Sequence, residues 1–402
     1  MNSLKLSQIQ KEGIFVLLSK VLSSLIIFIN TILILNYGGP ELIGEYTLFF
    51  STSIILVSFI DLGVTNASIF FIKSKRNDVD TVIFSSIILV FFATFLLVVL
   101  GSFFSGLLNV SYRLILSVGV SAFFLWLINY VSTKKQTDSD YFIYFIIKTT
   151  PNLIHLALIV YYIVFANLDL SLLVFIYISG LVSAVVLIFF SIKITPKIDF
   201  ELIKLIFQKG LQGYKMNLIA AIAKKGDVYL INIVGGSYFV GLYSIPLQCS
   251  SLMQEFTRSM MWPLFNKTNK LKNELKYYII SRFIKNQIKL LSFVLLISIF
   301  LIFFVLDVVV INDDIMIIQQ LSFLIILGSY TTPFINSVSA VSVSIGKLDL
   351  LFRITILATI IQYIIILVFN KQLGLFVFPI AFIINQIIIA IYSNNFIKSL
   401  SK

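Results

Sequence analysis

Between Leu211 and Val234 the chain places Lys215, Lys224, Lys225 and Asp227 in a run otherwise apolar enough to cross a bilayer. A lysine near the centre of such a helix costs about 2.5–3.5 kcal/mol on insertion scales, so it is retained where it faces water or a partner. The chemistry that buried ammonium groups serve best is attraction of an anion, because they replace the hydration that a phosphate loses on leaving water. Lys224 and Asp227 stand three residues apart and share a helix face, so one carboxylate offsets one of the two central lysines. Lys20, Lys148, His155, Asp61, Glu255 and Arg258 fall in other apolar runs. Lys20 has two readings: its stem can carry the ammonium out to the headgroups, or the ammonium can face a polar cavity. His155 reads either as a proton or substrate group or as a packed histidine. Glu255 and Arg258, again three apart, also describe an intrahelical pair near the inner interface.

The elements that must position these residues are membrane helices. Of 402 residues, 59% are hydrophobic, and the mean hydropathy is +1.03. Soluble domains carry about 45–50% apolar residues, so a soluble globule is excluded. About twelve apolar runs of roughly 20 residues follow one another, each long enough at about 1.5 Å per residue to cross a core of roughly 30 Å. Lys5 and Lys11 precede a run too long for a signal-peptide core, so the first span is expected to stay as an anchor. The single Cys249 leaves no internal disulfide.

The net charge of +12 follows loop topology and forms no nucleic-acid-binding face. One set of alternate loops holds Lys73, Lys75 and Arg76, then Lys134 and Lys135, then Lys193 to Lys209, then the basic stretch Lys267 to Lys289, then Lys347 and Arg353. The other set holds Glu41, Asp169, Asp307, Asp313 and Asp314, with Lys371 as the exception. The positive-inside bias therefore places both termini in the cytoplasm.

A repeat organises the spans. Gly38-Gly39-Pro40-Glu41-Leu42-Ile43-Gly44-Glu45-Tyr46 and Gly235-Gly236-Ser237-Tyr238-Phe239-Val240-Gly241-Leu242-Tyr243 both read G-G-x-x-x-x-G-x-Y, and Gly39 to Gly236 is an offset of 197 residues. That offset is near half of the chain, which predicts two six-helix copies, 1–192 and 210–402. In the same register Asn30 falls on Asp227, Ser53 on Ser250 and Asp61 on Arg258. Between the copies, residues 193–209 carry Ile198, Leu202, Leu205 and Ile206 at helical spacing among lysines. They suit an amphipathic helix on the cytoplasmic leaflet, where the lysines meet anionic membrane lipid, and equally a plain tether. A glycine beside an acid in Asp61-Leu62-Gly63 predicts a kink or helix end.

The first Gly-Gly motif, Asp61-Leu62-Gly63, and Gly226-Asp227 leading to Gly241-Leu242-Tyr243 together resemble the polysaccharide-biosynthesis flippases of the Wzx O-antigen translocase type. The wider superfamily also holds multidrug MATE exporters and the lipid II flippase. The resemblance implies an all-α polytopic membrane protein of about twelve transmembrane helices, in two six-helix lobes related by a parallel repeat, MATE-like. It implies a bacterial inner membrane location and no catalytic residues, metal or cofactor. It also implies alternating-access transfer of an undecaprenyl-pyrophosphate-linked oligosaccharide to the periplasmic leaflet. A polysaccharide polymerase and a chain-length regulator would be further partners, and H+ or Na+ a coupling ion.

On this reading Lys224, Lys225, Lys215, Lys148 and Lys20 attract the phosphates, while Asp227, Asp61, Arg258 and Glu255 serve ion coupling or gating. Asp61 and Arg258, at equivalent places in the two copies, would meet as an inner gate. Two alternatives stand beside it. A MATE-type ion-coupled multidrug exporter shares the fold but prefers an acidic, aromatic cavity. A membrane-embedded polymerase or ligase would need a large outer loop with catalytic groups, whereas every outer loop here is short.

Overall fold

The computed structural model describes residues 2–73, 78–105, 111–138, 140–191, 197–259, 273–311, 313–335 and 348–399, and within some helices only the backbone. These residues are almost wholly helical. The helices are α1 (Asn2–Asp61), α2 (Val64–Lys73), α3 (Val79–Phe103), α4 (Tyr112–Thr137), α5 (Tyr141–Phe165) and α6 (Leu170–Ser191). They continue with α7 (Phe200–Ser259), α8 (Asn273–Phe300), a π turn at Leu301–Val305, α9 (Leu306–Val309), α10 (Ile315–Ser329), α11 (Leu348–Leu373) and α12 (Val377–Ser399).

Nine helical runs among the described residues are long and apolar enough to cross a membrane. Two of them, Val16–Asp61 and Arg353–Lys398, are 46 residues long. At about 1.5 Å per residue each covers roughly 70 Å, twice the hydrocarbon core, so each makes two passes. The 60 residues of α7 do the same. The expected all-α polytopic fold is therefore what forms. Its outer faces agree: Phe92, Phe103 and Phe190 are exposed, the last at 86%. Large aromatics exposed to this extent suit lipid, not water.

Local chemistry sets the ends. Ser111 Oγ accepts from Leu114 N, Asp169 Oδ1 from Leu172 N at 2.7 Å, and Asp199 Oδ1 from Leu202 N at 3.0 Å, capping α4, α6 and α7. Lys134 and Lys135 close α4 in ion pairs with Asp138 and Asp140. Residues 200–209 of the expected linker are helical and continuous with the rest of α7, and Asp199 caps the start of that helix. Its Leu202 and Ile206 are buried, while Phe200 and Leu205 are exposed.

The chain forms two compact units, Glu45–Tyr229 on the one hand and Met1–Gly44 with Leu230–Lys402 on the other. These units are a different division from the sequence copies 1–192 and 210–402, since the first span of each copy is grouped with the later spans of the other. In the unit Glu45–Tyr229, α4 packs on α3, α5 and α6, and α5 packs on α6. Trp126 and Tyr130 stack at its centre with ring centroids 5.1 Å apart. In the other unit α12 packs on α8, α10 and α11.

Inside that second unit the two Gly-Gly motifs meet. Gly39 and Gly236 hold matching left-handed conformations, φ 81° and ψ 173° against φ 70° and ψ −172°, and bend α1 and α7 at equivalent points. A Cβ added to Gly44 would lie 1.8 Å from the Ser237 carbonyl oxygen, and one added to Gly241 would lie 1.9 Å from the Pro40 carbonyl oxygen. Ser237 is the counterpart of Pro40 at the offset of 197, as Gly241 is of Gly44. Each helix thus rests on the other's bend through the same glycine. Asn36 fastens the same region, donating from Nδ2 to Val309 O at 2.7 Å and accepting at Oδ1 from Ile311 N at 3.0 Å. It satisfies backbone groups that the end of α9 would leave open.

Alanine at Gly44 or Gly241 is expected to lower stability by about 1–3 kcal/mol or more, because the obstacle is backbone and cannot rotate away. Gly101→Ala, which meets only the Ile115 Cγ2 methyl at 3.1 Å, is expected to be tolerated. Thermal unfolding of the three variants in detergent, followed by monomer-peak loss on gel filtration, checks the contrast.

Candidate functional site

In the unit Glu45–Tyr229 the second arm of α1 (45–61) faces the first arm of α7 through polar and aromatic side chains. Lys225 and Tyr229, four apart on α7, share a face. Lys225 Nζ lies 5.7 Å from the centre of the Phe50 ring, within cation–π range. Tyr229 Oη lies 2.6 Å from Thr52 Oγ1. Thr52 already donates to Leu48 O at 2.7 Å, so Tyr229 is the donor in that pair. Lys225 and Asp227 act on each other electrostatically. Asp227 Oδ1 also accepts from Val228 N at 2.9 Å.

From Phe50 an aromatic chain leads inward. Tyr177 meets Phe50 edge-on at 5.5 Å and Phe49 at 6.0 Å, and Tyr46 stacks on His155 at 5.8 Å. Tyr46 Oη lies 3.1 Å from His155 Nε2. Tyr46, His155 and Tyr177 are all buried. His155 is placed by α5, and Gly180 of α6 lets the helices close: a Cβ there would sit 2.6 Å from Pro151 O.

A second polar seam runs in the unit formed by Met1–Gly44 and Leu230–Lys402. The first arm of α1 (2–38) exposes Leu18, Leu22, Leu25 and Ile29 along one face, and carries Lys20, Ser23, Ser24, Asn30 and Thr31 on the opposite one. Lys20 Nζ reaches Glu255 of α7 at 3.1 Å. Beside it, Gln254 Nε2 donates to Ser250 Oγ at 3.0 Å, and Ser250 Oγ lies 3.1 Å from Ser329 Oγ of α10. Tyr330 and Ser292 continue the polar line at 2.7 Å.

The predicted residues are thus distributed as follows. Lys20 is paired with Glu255 of α7. Lys225 has Asp227 and the Phe50 face. Lys148 donates to Asn129 of α4, within two turns of the α5 start. The α7 backbone runs helically through Lys215, Lys224 and Arg258, whose side chains lie outside the described residues. Asp61 is 8% exposed and accepts from Trp126 Nε1 at 2.8 Å, from Thr65 N at 3.1 Å and from the Thr65 hydroxyl. It caps α2 after a tight reversal in which Leu62 has φ 46° and Gly63 φ 73°. A Cβ at Gly63 would lie 2.1 Å from Gly210 O, so this reversal is seated on α7. The expected break at Asp61-Leu62-Gly63 forms there. Sequence reasoning missed Tyr46, Phe50, Thr52, Trp126, Tyr177 and Tyr229. The Tyr that ends the first Gly-Gly motif carried a signal; Phe50, Tyr177 and Tyr229 are lost among 39 Phe and 18 Tyr, and Thr52 and Trp126 stand in no motif.

No protein-family model and no curated protein matches the chain. Several solved structures do match in shape. An inward-facing multidrug resistance MATE transporter of the MOP superfamily superposes with a TM-score of 0.67 at 18% identity, covering 96% of this chain and 98% of that one. An outward-facing MATE transporter of the same superfamily gives 0.66 at 17%, covering 97% and 96%. A MOP superfamily transporter from Pyrococcus furiosus, described as having a binding pocket of reversed polarity, gives 0.64 at 17%, covering 98% and 96%. At these identities the likeness shows the fold, a MATE-like arrangement over essentially the whole chain.

Removing the Asp61 carboxylate leaves the Trp126 and Thr65 donors without their acceptor. Asp61→Ala is therefore expected to cost about 1.5–3 kcal/mol, the range for a hydrogen bond to a charged group. In a double-mutant cycle with Trp126→Phe the effects should be less than additive; strict additivity in thermal unfolding would show that the indole contact carries no energy.

Proposed function

We propose that this chain is an alternating-access transporter of MATE type, exporting its cargo across a bacterial inner membrane with coupling to H+ or Na+. The observation that carries this reading is the whole-length superposition on both inward-facing and outward-facing transporters of that fold. Side-chain chemistry within each unit supports it: in the unit Glu45–Tyr229, Phe50 and Tyr229 offer flat rings and Asp227 a carboxylate to a cationic cargo or coupling ion, and in the other unit Glu255 offers a carboxylate. Its work is movement between leaflets or compartments, and no bond-making step is assigned. The termini lie in the cytoplasm by the loop charges. Residues 1–192 and 210–402 are two copies of one bundle joined through 193–209. Asp61 and Arg258, at equivalent positions of the two sequence copies, are proposed as gating residues.

A second reading has its own observation. Lys224 and Lys225 share the middle of α7 with one carboxylate, Asp227, and that surplus suits an anionic cargo. On it the chain is a Wzx-type flippase for an undecaprenyl-pyrophosphate-linked oligosaccharide, serving a surface-polysaccharide polymerase and chain-length regulator. Lys20, Lys148, Lys215, Lys224 and Lys225 would attend the phosphates. The reversed pocket polarity described for the Pyrococcus furiosus transporter supports the view that this fold takes cargoes of more than one charge.

One strain comparison separates the readings. A strain lacking this protein is expected to become sensitive to cationic drugs, to be restored by the wild type, and to stay sensitive with Asp227→Asn at equal membrane levels. If instead surface polysaccharide is lost, lipid-linked units build up on the inner leaflet, and Lys224→Ala/Lys225→Ala fails to restore export, the flippase replaces the exporter.

A further inference from the structure

The pairing of Lys20 with Glu255 asks for a reason, because an ion pair held among apolar helices is a poor way to gain stability. Desolvation of two charges offsets most of their attraction, and apolar residues of similar volume commonly do as well or better. Such pairs are best attested where they set specificity or switch partners. This one has the features of a replaceable pair. It includes an ammonium–carboxylate contact of 3.1 Å, and both side chains keep some exposure, 29% for Lys20 and 21% for Glu255. It joins α1 to α7 across 235 positions of sequence, so neither local helix geometry nor a cap requires it. The polar face of α1 thus presents a lysine already holding an oxyanion.

We propose that the Glu255 carboxylate is a resident stand-in for an anionic group of the cargo, and that phosphate oxygens of the cargo displace it from Lys20 during loading. This inference rests on the second reading above, that of an anionic cargo. Exchange of one oxyanion for another keeps Lys20 compensated at every stage, which a bare lysine at that depth would not be. It also weakens the apparent affinity, since cargo binds only the fraction of molecules in which the pair is open. Glu255 then prevents trapping of the cargo: when it returns to Lys20, the phosphate is released.

The test uses the full-length protein in nanodiscs, with farnesyl pyrophosphate as the probe and farnesol and tetraphenylphosphonium as controls. Glu255→Gln is expected to bind farnesyl pyrophosphate about tenfold more tightly than the wild type, because the competing charge is gone while the side chain's size is kept. Lys20→Met should lose that binding, and Lys20→Arg should retain it. Farnesol should be indifferent to all three substitutions. If Glu255→Gln binds no more tightly, while Lys224→Ala/Lys225→Ala abolishes pyrophosphate binding, the anionic cargo stands and the stand-in role is overturned. If the wild type binds tetraphenylphosphonium and not farnesyl pyrophosphate, the anionic reading fails and this inference with it. Unfolding midpoints of Glu255→Gln and Lys20→Arg matching the wild type exclude misfolding as the cause of any change.

Discussion

The structure depends on a backbone-on-backbone contact between two bent helices. α1 and α7 each turn at a left-handed glycine, and each then sets a second glycine against the carbonyl of the other's bend. The contact has no side chain at its centre, so it has no rotamer to adjust and no substitute for hydrogen. In a membrane, helices gain little from burying apolar surface against one another, because lipid tails are as apolar as their side chains. Close approach through small residues is then the main source of association. It also fixes direction: with both bends locked by the same glycine pattern, the arms that follow are aimed in equivalent ways. The polar seam on α1 is brought to Glu255 of α7 by that aim.

Charge is the second constraint, and the chain meets it locally. In low dielectric an unpartnered ammonium is costly, and three lysines inside spans show three kinds of partner: a carboxylate for Lys20, an amide oxygen for Lys148, a carboxylate and an aromatic face for Lys225. Each partner balances the lysine without making the site inert. Carboxylates are exchangeable for other anions, and an aromatic face leaves the ammonium's hydrogens free to bond elsewhere. Asp61 shows the contrasting case. Indole, amide and hydroxyl donors converge on it at a strained reversal, which makes it a structural cap first.

The sequence made the helical, membrane-spanning class legible because a bilayer leaves few choices: every backbone group must be satisfied within its own helix, and the span length is set by the hydrocarbon core. The two bends were legible as well, since glycine at fixed spacing encodes backbone conformation directly. Partnerships between distant helices were not. Lys20 and Glu255 lie 235 positions apart, and the nearest sequence relationship of Glu255, to Arg258, described a pair inside one helix. The aromatic chain from Phe50 to His155 was hidden for a different reason. In a chain where 15% of residues are aromatic, one more Tyr or Phe carries no positional signal until packing selects it. The grouping into compact units was hidden too, because a repeat in sequence says which segments are alike, not which ones pack together.

That last difference bears on how such a chain can move. The two compact units are joined covalently only at Gly44–Glu45 and at Tyr229–Leu230. Both joints lie inside continuous helix, within about two turns of the glycine bends at Gly39 and Gly236. A hydrogen-bonded helix resists stretching, so a change between the units cannot be taken up by extension there. It has to appear as bending or twisting of α1 and α7, and glycine is the residue that concentrates such a change. The residues flanking the joints are tied into one of the units. Tyr46, bonded to His155, follows the first joint by two positions, and Tyr229, bonded to Thr52, stands at the second. Both hydrogen bonds lie wholly within the unit Glu45–Tyr229, so each joint is flanked by a side chain anchored in that unit.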